Sequence, residues 1–209
     1  ADLDHYTHVT RGLDADGVCR YFSAYRFEPS ADGRHMDVLL GPHFKERGVH
    51  VGAPVFQLMW HVCGAYLRNP FVRVTFGSAV SIAGYALIAQ HMRGVGPVHM
   101  DGDGGLDGAT TRMLARLRHA ARGKVRWDPD RKLIRYPVGV DLEAREALRL
   151  DLTTHERRRY LDRCPDAVGA GSAAVVPVAF TADLAQLFRF LARAGQLAVQ
   201  RRTRRAPVG

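Results

Sequence analysis

The histidines and aspartates are the side chains in this chain that could hold a ligand. His5 and His8 stand in the segment HYTH, a spacing that can offer two imidazoles to one metal ion. No third ligand follows at a helpful distance, so a polar surface loop is the expectation for residues 1–16. His61 and His91 flank an apolar stretch and raise the question of a bis-histidine haem. The spacing is against it. If two helices fold back at Asn69-Pro70, His61 lies eight residues before the break and His91 twenty-two after it. At about 1.5 Å per helical residue, the two rings differ in depth by about 20 Å. No cofactor and no metal is therefore expected on these four histidines.

Asp101, Asp103 and Asp107 open with the rhythm of a calcium loop. Such a loop needs an acid where Arg112 stands, and an acid or amide where Gly105 stands. The neighbouring glycines make no nucleotide loop, because Gly94-Val95-Gly96 runs into Pro97 and no Walker pattern follows. No serine sits in a nucleophile elbow, and no zinc-protease or dinucleotide fingerprint appears. Asp37, Asp101, Asp103, Asp128 and Asp130 fall mostly in or beside apparent turns, where aspartates usually bond to their own backbone. No catalytic residue is expected. Cys19, Cys63 and Cys164 have neither the count nor the spacing of a disulfide framework or a zinc knuckle.

The elements that carry these residues are organised around Val51 to Met92. This stretch holds no acid and only two arginines, Arg68 and Arg73. Pro54 to Leu67 has helical spacing, with Val55, Met59, Val62 and Tyr66 on one face. Asn69-Pro70 breaks it. Phe71 to Ala89 is then a 19-residue run whose only charge is Arg73, about the length that crosses a bilayer core. The first expectation is a membrane anchor over 71–92; the second is a buried core helix. In either case Gly77, Ser81 and Gly84 would fall on one helical face, as a small-residue packing stripe.

Four regions follow from this. Residues 1–50 form an N-terminal β-hairpin region, with the hairpin itself over 17–41 and SADGR as its turn. Tyr21, Phe22, Tyr25 and Phe27 are arranged like an RNA-stacking platform, but without its specific motif. Residues 51–92 form the apolar helical unit, and 93–109 a Gly-rich linker. Residues 110–209 form a basic α/β region: a helix over 110–123, a hairpin over 124–138, and a helix over 141–150. A further helix opens at Thr153 and Glu156 and runs to Cys164. A strand over 174–180 leads to a long helix capped by Thr181, whose apolar stripe is Leu184, Leu187, Phe188, Leu191, Ala198 and Val199. The fold class is α+β.

The formal net charge is +9, and 27 of the 30 basic residues are arginine. Residues 94–209 carry 21 basic and 13 acidic residues, so that part should face an anionic partner. Arg201, Arg202, Arg204 and Arg205 end the long helix and are the expected docking residues. The chain opens ADLDHY with neither methionine nor a signal-like segment, as a processed product, or a trimmed or incomplete chain, would.

Together these features suggest a non-catalytic accessory subunit of a large membrane-embedded assembly, such as an energy-transducing complex of the mitochondrial inner membrane. Its partners would be other subunits and membrane lipid. The alternative is an RNA-contacting structural protein of a ribonucleoprotein such as a ribosome. A soluble enzyme without a recognisable motif comes third.

Overall fold

The computed structural model describes residues 6–45, 53–122, 126–128, 130, 132–136, 154–164 and 173–205. Eight strands form one sheet: β1 (His8–Leu13), β2 (Cys19–Pro29), β3 (His35–Lys45), β4 (Arg73–Val80), β5 (His99–Met100), β6 (Arg126–Asp128), β7 (Leu133–Tyr136) and β8 (Ala173–Ala182). Among the described residues five helices accompany them: α1 (Ala53–Arg68), α2 (Ile82–Met92), α3 (Gly108–Arg122), α4 (Thr154–Arg163) and α5 (Leu184–Arg205). The sheet order is β1-β2-β3-β4-β8-β7-β6, with β5 also paired to β8. The α+β class holds.

The N-terminal hairpin forms as its turn chemistry dictates. Gly33 takes φ +66° and its N–H donates to Ser30 O, while Arg34 N–H donates to Asp32 Oδ1. That left-handed position is one glycine adopts without a Cβ penalty. The polar stretch before it is not all loop. β1 pairs antiparallel with β2, closed by the Asp14 carboxylate, which accepts from the N–H groups of Asp16 and Val18 at 3.0 and 2.9 Å. On β2, Tyr25 is buried and Phe27 packs on His8 and His61, so neither belongs to an open stacking surface.

The run from Phe71 to Ala89 is the main departure from expectation. It is neither a membrane span nor one core helix. Among the described residues no helix is long and apolar enough to cross a membrane. The run divides into β4 and α2. Ser81 takes φ −70°, ψ 172° and caps α2 by accepting from Gly84 N–H at 3.4 Å. β4 lies inside the sheet, parallel to β3 on one edge and antiparallel to β8 on the other. Both of its faces are covered, so after Arg73 it carries no charge, and its two polar residues, Thr75 and Ser78, are small and buried; no charged face betrays a strand.

Val74 and Phe76 point to one face of the sheet, with Met36, Val38, Phe180 and Ala182 beside them. Val62, Ala65 and Tyr66 of α1 and Leu187 of α5 pack on this group. Farther along the same face, Val176 and Val178 meet Tyr85, Ala89 and Met92 of α2 and Tyr160 of α4. Two buried tyrosines tie the helices to strand ends. Tyr66 OH donates to Ala182 O at 2.7 Å, and Tyr160 OH to Val80 O at 3.1 Å. Burial pushes the Tyr66 phenol well above its ordinary value, and Asp183 and Cys63 add to that.

The opposite face carries Leu39, Gly77 and Ala179, and α3 covers it with Met113, Leu114 and Leu117. Arg116 of α3 reaches across to Glu28 and, at 2.8 Å, to Asp37.

The Gly-rich stretch 93–109, expected as a linker, is built into the body. It contributes β5, and Val95, Val98 and Met100 lie in the core. Asp103 accepts from Met100 N–H and pairs with Arg159, while Arg163 stands 3.9 Å away. Asp101 is only 5% exposed, and Arg118 Nε lies 3.3 Å from its Oδ2, close enough for charge attraction but not aligned as a hydrogen bond. Gly102, at φ +90°, leaves room for cations: Arg163 Nη1 and Lys132 Nζ lie 3.0 and 2.8 Å from where a Cβ would stand.

The hairpin of β6 and β7 and the helix α4 fall where the sequence places them, and β8 does so at its start but runs on past residue 180 to Ala182. The expected helix over 141–150 and the capping residue Thr153 lie outside the described residues.

Candidate functional site

Gly77, Ser81 and Gly84 do not share a helical face. Gly77 is in β4, Ser81 is the cap between strand and helix, and Gly84 is in the first turn of α2. Gly77 does receive a helix. A Cβ there would run into the Cγ and Sδ of Met113, so the missing side chain lets α3 settle on the sheet. Gly84 faces its own strand end, with Val80 Cβ 3.1 Å from a notional Cβ.

The long helix starts at a different cap from the expected one. Thr181 belongs to β8, and its hydroxyl lies 3.4 Å from Thr75 Oγ1 and 3.3 Å from Thr110 Oγ1. Asp183 caps α5 instead. Its Oδ1 accepts from Gln186 N–H at 2.7 Å, and Gln186 Oε1 accepts from Asp183 N–H at 2.9 Å. This is a reciprocal capping box.

Of the expected stripe of α5, Leu184 and Leu187 face the fold while Phe188 and Leu191 do not, and the side chains of Ala198 and Val199 lie outside the described residues. Leu187 packs on the sheet, Phe190 stands over His91 of α2, and Arg193 Nε donates to Gln90 O. The inward face thus runs through 184, 187, 190 and 193, a step of three. Phe188 and Leu191 lie around the helix from it, 63% and 40% exposed. Trp60, Leu67 and Phe71, along α1 and just past its end, are also exposed. The helix backbone continues to Arg205, and the side chains of Arg201, Arg202, Arg204 and Arg205 lie outside the described residues.

Of the histidines, His8 and His61 come together. Their ring centroids are 4.3 Å apart, edge to face, and Phe27 packs against both. Burial, and then the neighbouring His61, lowers the His8 pKa. Among the described residues no three histidine, cysteine, aspartate or glutamate side chains gather as a metal site. His5 lies outside the described residues.

A polar cleft of about 260 Å³ opens where β4 begins and β8 ends, on the face covered by α3. Its lining is Arg73, Pro97, His99, Asp107, Thr110, Thr181, Asp183 and Gln186. The fold assembles it from distant positions. Arg73 starts β4, His99 is opposite Ala179 on β5, and Asp107 caps α3 by accepting from Thr110 N–H at 2.7 Å. Burial opposes ionisation of Asp107. The amide and hydroxyl of Thr110, with the charges of His99 and Arg73, outweigh it and hold the carboxyl below its ordinary value. No family model, curated protein or solved structure matches this chain.

The cleft was hidden from sequence reasoning for a plain reason. Arg73, His99, Asp107 and Asp183 span 110 positions and form no local motif. In the sequence Asp107 shows only as part of a calcium rhythm, and Asp183 stands two residues beyond Thr181, the expected cap.

Proposed function

We propose that this chain is a non-catalytic accessory subunit of a larger assembly, docked on a partner protein through the outward side of α5. The observation that supports this most directly is the pair Phe188 and Leu191. They stand exposed on a helix whose inward side is already occupied by the sheet and α2. The sequence then continues into Arg201, Arg202, Arg204 and Arg205, so an apolar centre with a basic end is presented. Such a combination suits a protein groove with an acidic rim. The reading needs no membrane anchor.

The RNA-contacting alternative loses part of its support. Arg93, Arg116, Arg118, Arg159 and Arg163 are directed at carboxylates within the fold. The test is sedimentation of the tagged full chain from its native cells. Wild type should travel in a large particle. Phe188→Asp combined with Leu191→Asp should travel as the free chain, with an unchanged melting temperature. Release of wild type by nuclease would favour RNA. A wild type that already sediments alone would end the proposal.

A further inference from the structure

We propose that the cleft between β4, β5 and the starts of α3 and α5 binds a small zwitterion, an α-amino acid or a molecule of the same charge pattern. The inference is independent of docking through α5. It begins from Arg73. Its exposed side chain makes no hydrogen bond or salt bridge among the described residues, as is also true of Arg11, Arg68 and Arg112; what sets Arg73 apart is its place in the lining of the cleft, near enough to Asp107 for the two charges to interact. A planar fork left open in a concave site is suited to a carboxylate. The His99 ring, in the same lining, likewise has no hydrogen-bond partner among the described residues.

The other charges in the lining choose among ligands. Asp107 and Asp183 bring two negative charges, and Arg73 one positive charge. A phosphate would meet two carboxylates; a simple amine would meet Arg73. A molecule carrying one carboxylate and one ammonium answers both signs. Asp183 uses Oδ1 to cap α5, and its Oδ2 has no partner among the described residues. That oxygen can take an ammonium without releasing the helix. Thr110 and Thr181 add hydroxyls. The cleft, at about 260 Å³, is smaller than the roughly 300–1,000 Å³ of pockets that take drug-sized ligands. An amino acid is of the right size.

The experiment is calorimetric titration of the full chain with each of the twenty common amino acids at millimolar concentration. Propionate, ethylamine and inorganic phosphate serve as controls. At least one amino acid should bind saturably, and the three controls at least about tenfold more weakly. Arg73→Gln and Asp183→Asn should each raise the dissociation constant about tenfold or more. Asparagine caps a helix as well as aspartate, so Asp183→Asn keeps α5. Unchanged melting temperatures would show both variants folded. The proposal is overturned if no amino acid binds, if phosphate binds as tightly as the best amino acid, or if binding survives both substitutions.

Discussion

Gly77 shows how much one absent side chain can decide. The strand passes directly beneath Met113 and Leu117 of α3, and a Cβ has no room there. Gly77→Val should therefore cost about 1–3 kcal/mol in urea unfolding, the usual penalty of overpacking. Adding Met113→Ala should recover part of it, because the two positions touch and their effects couple. Tyr66→Phe removes a buried hydroxyl from Ala182 O and should cost about 1–2 kcal/mol by the same measurement. Asp107 gives a pH signature. Its folded pKa lies below the ordinary value of 3.8, so its charge stabilises the fold fully above that pH. The contribution is lost as pH falls through the lowered value. Asp107→Asn keeps a good cap but loses the charge. It should be less stable than wild type at pH 7, by about 0.3–1 kcal/mol, and equal to it in strong acid. Paired melts across that range would check the sign.

At the scale of elements, α5 has two sides with different tasks. Ending the chain after Gln200 should weaken association with the partner while the melting temperature stays within about 2 °C, since the contacts to the sheet and α2 come from Leu187, Phe190 and Arg193. Co-sedimentation and thermal unfolding, run together, would separate the two tasks. A large fall in stability would place the basic end in the fold rather than at an interface. The elements also show what the sequence could and could not disclose. Hairpin turns, the helix over 54–67, which forms as Ala53–Arg68, and its stop at Asn69-Pro70 were legible, because turn residues and helical spacing act locally. The identity of β4 was not. A strand covered on both faces and followed at once by a capped helix reads as one apolar run of membrane length. The stripe of α5 was legible as apolar positions, but which of them met the sheet depended on where β8 delivered the helix. The cleft was illegible for a stronger reason: its residues are neighbours only through the pairing of β4 with β8.

The whole molecule is held by that same pairing. β8 arrives about a hundred residues after β4 and fills the gap between β4 and the β6–β7 hairpin. Residues 1–109 expressed alone should therefore lack a cooperative melt, since β4 would have one edge unpaired and Phe76 would lose the stacked ring of Phe180. Supplying residues 110–209 as a second chain should restore a cooperative transition. Circular dichroism on the separate and mixed fragments would decide it. The net charge of +9 belongs to this scale too. Several arginines cross between layers, from α3 to β2 and β3, and from α4 to the turn after β5. A part of the positive charge thus acts within the fold before any partner is met.

The late arrival of β8 has a consequence on the ribosome. Synthesis at about 5–20 residues per second leaves roughly 5–20 s between the emergence of β4 and that of its partner. Throughout that interval a strand holding Val74, Phe76 and Val80 is tethered with an open edge, a template for pairing with a neighbouring nascent chain. Polysomes crowd such chains together. Yield in cells should then depend on the pace of translation and on a holdase at the exit tunnel more than on the stability of the finished protein.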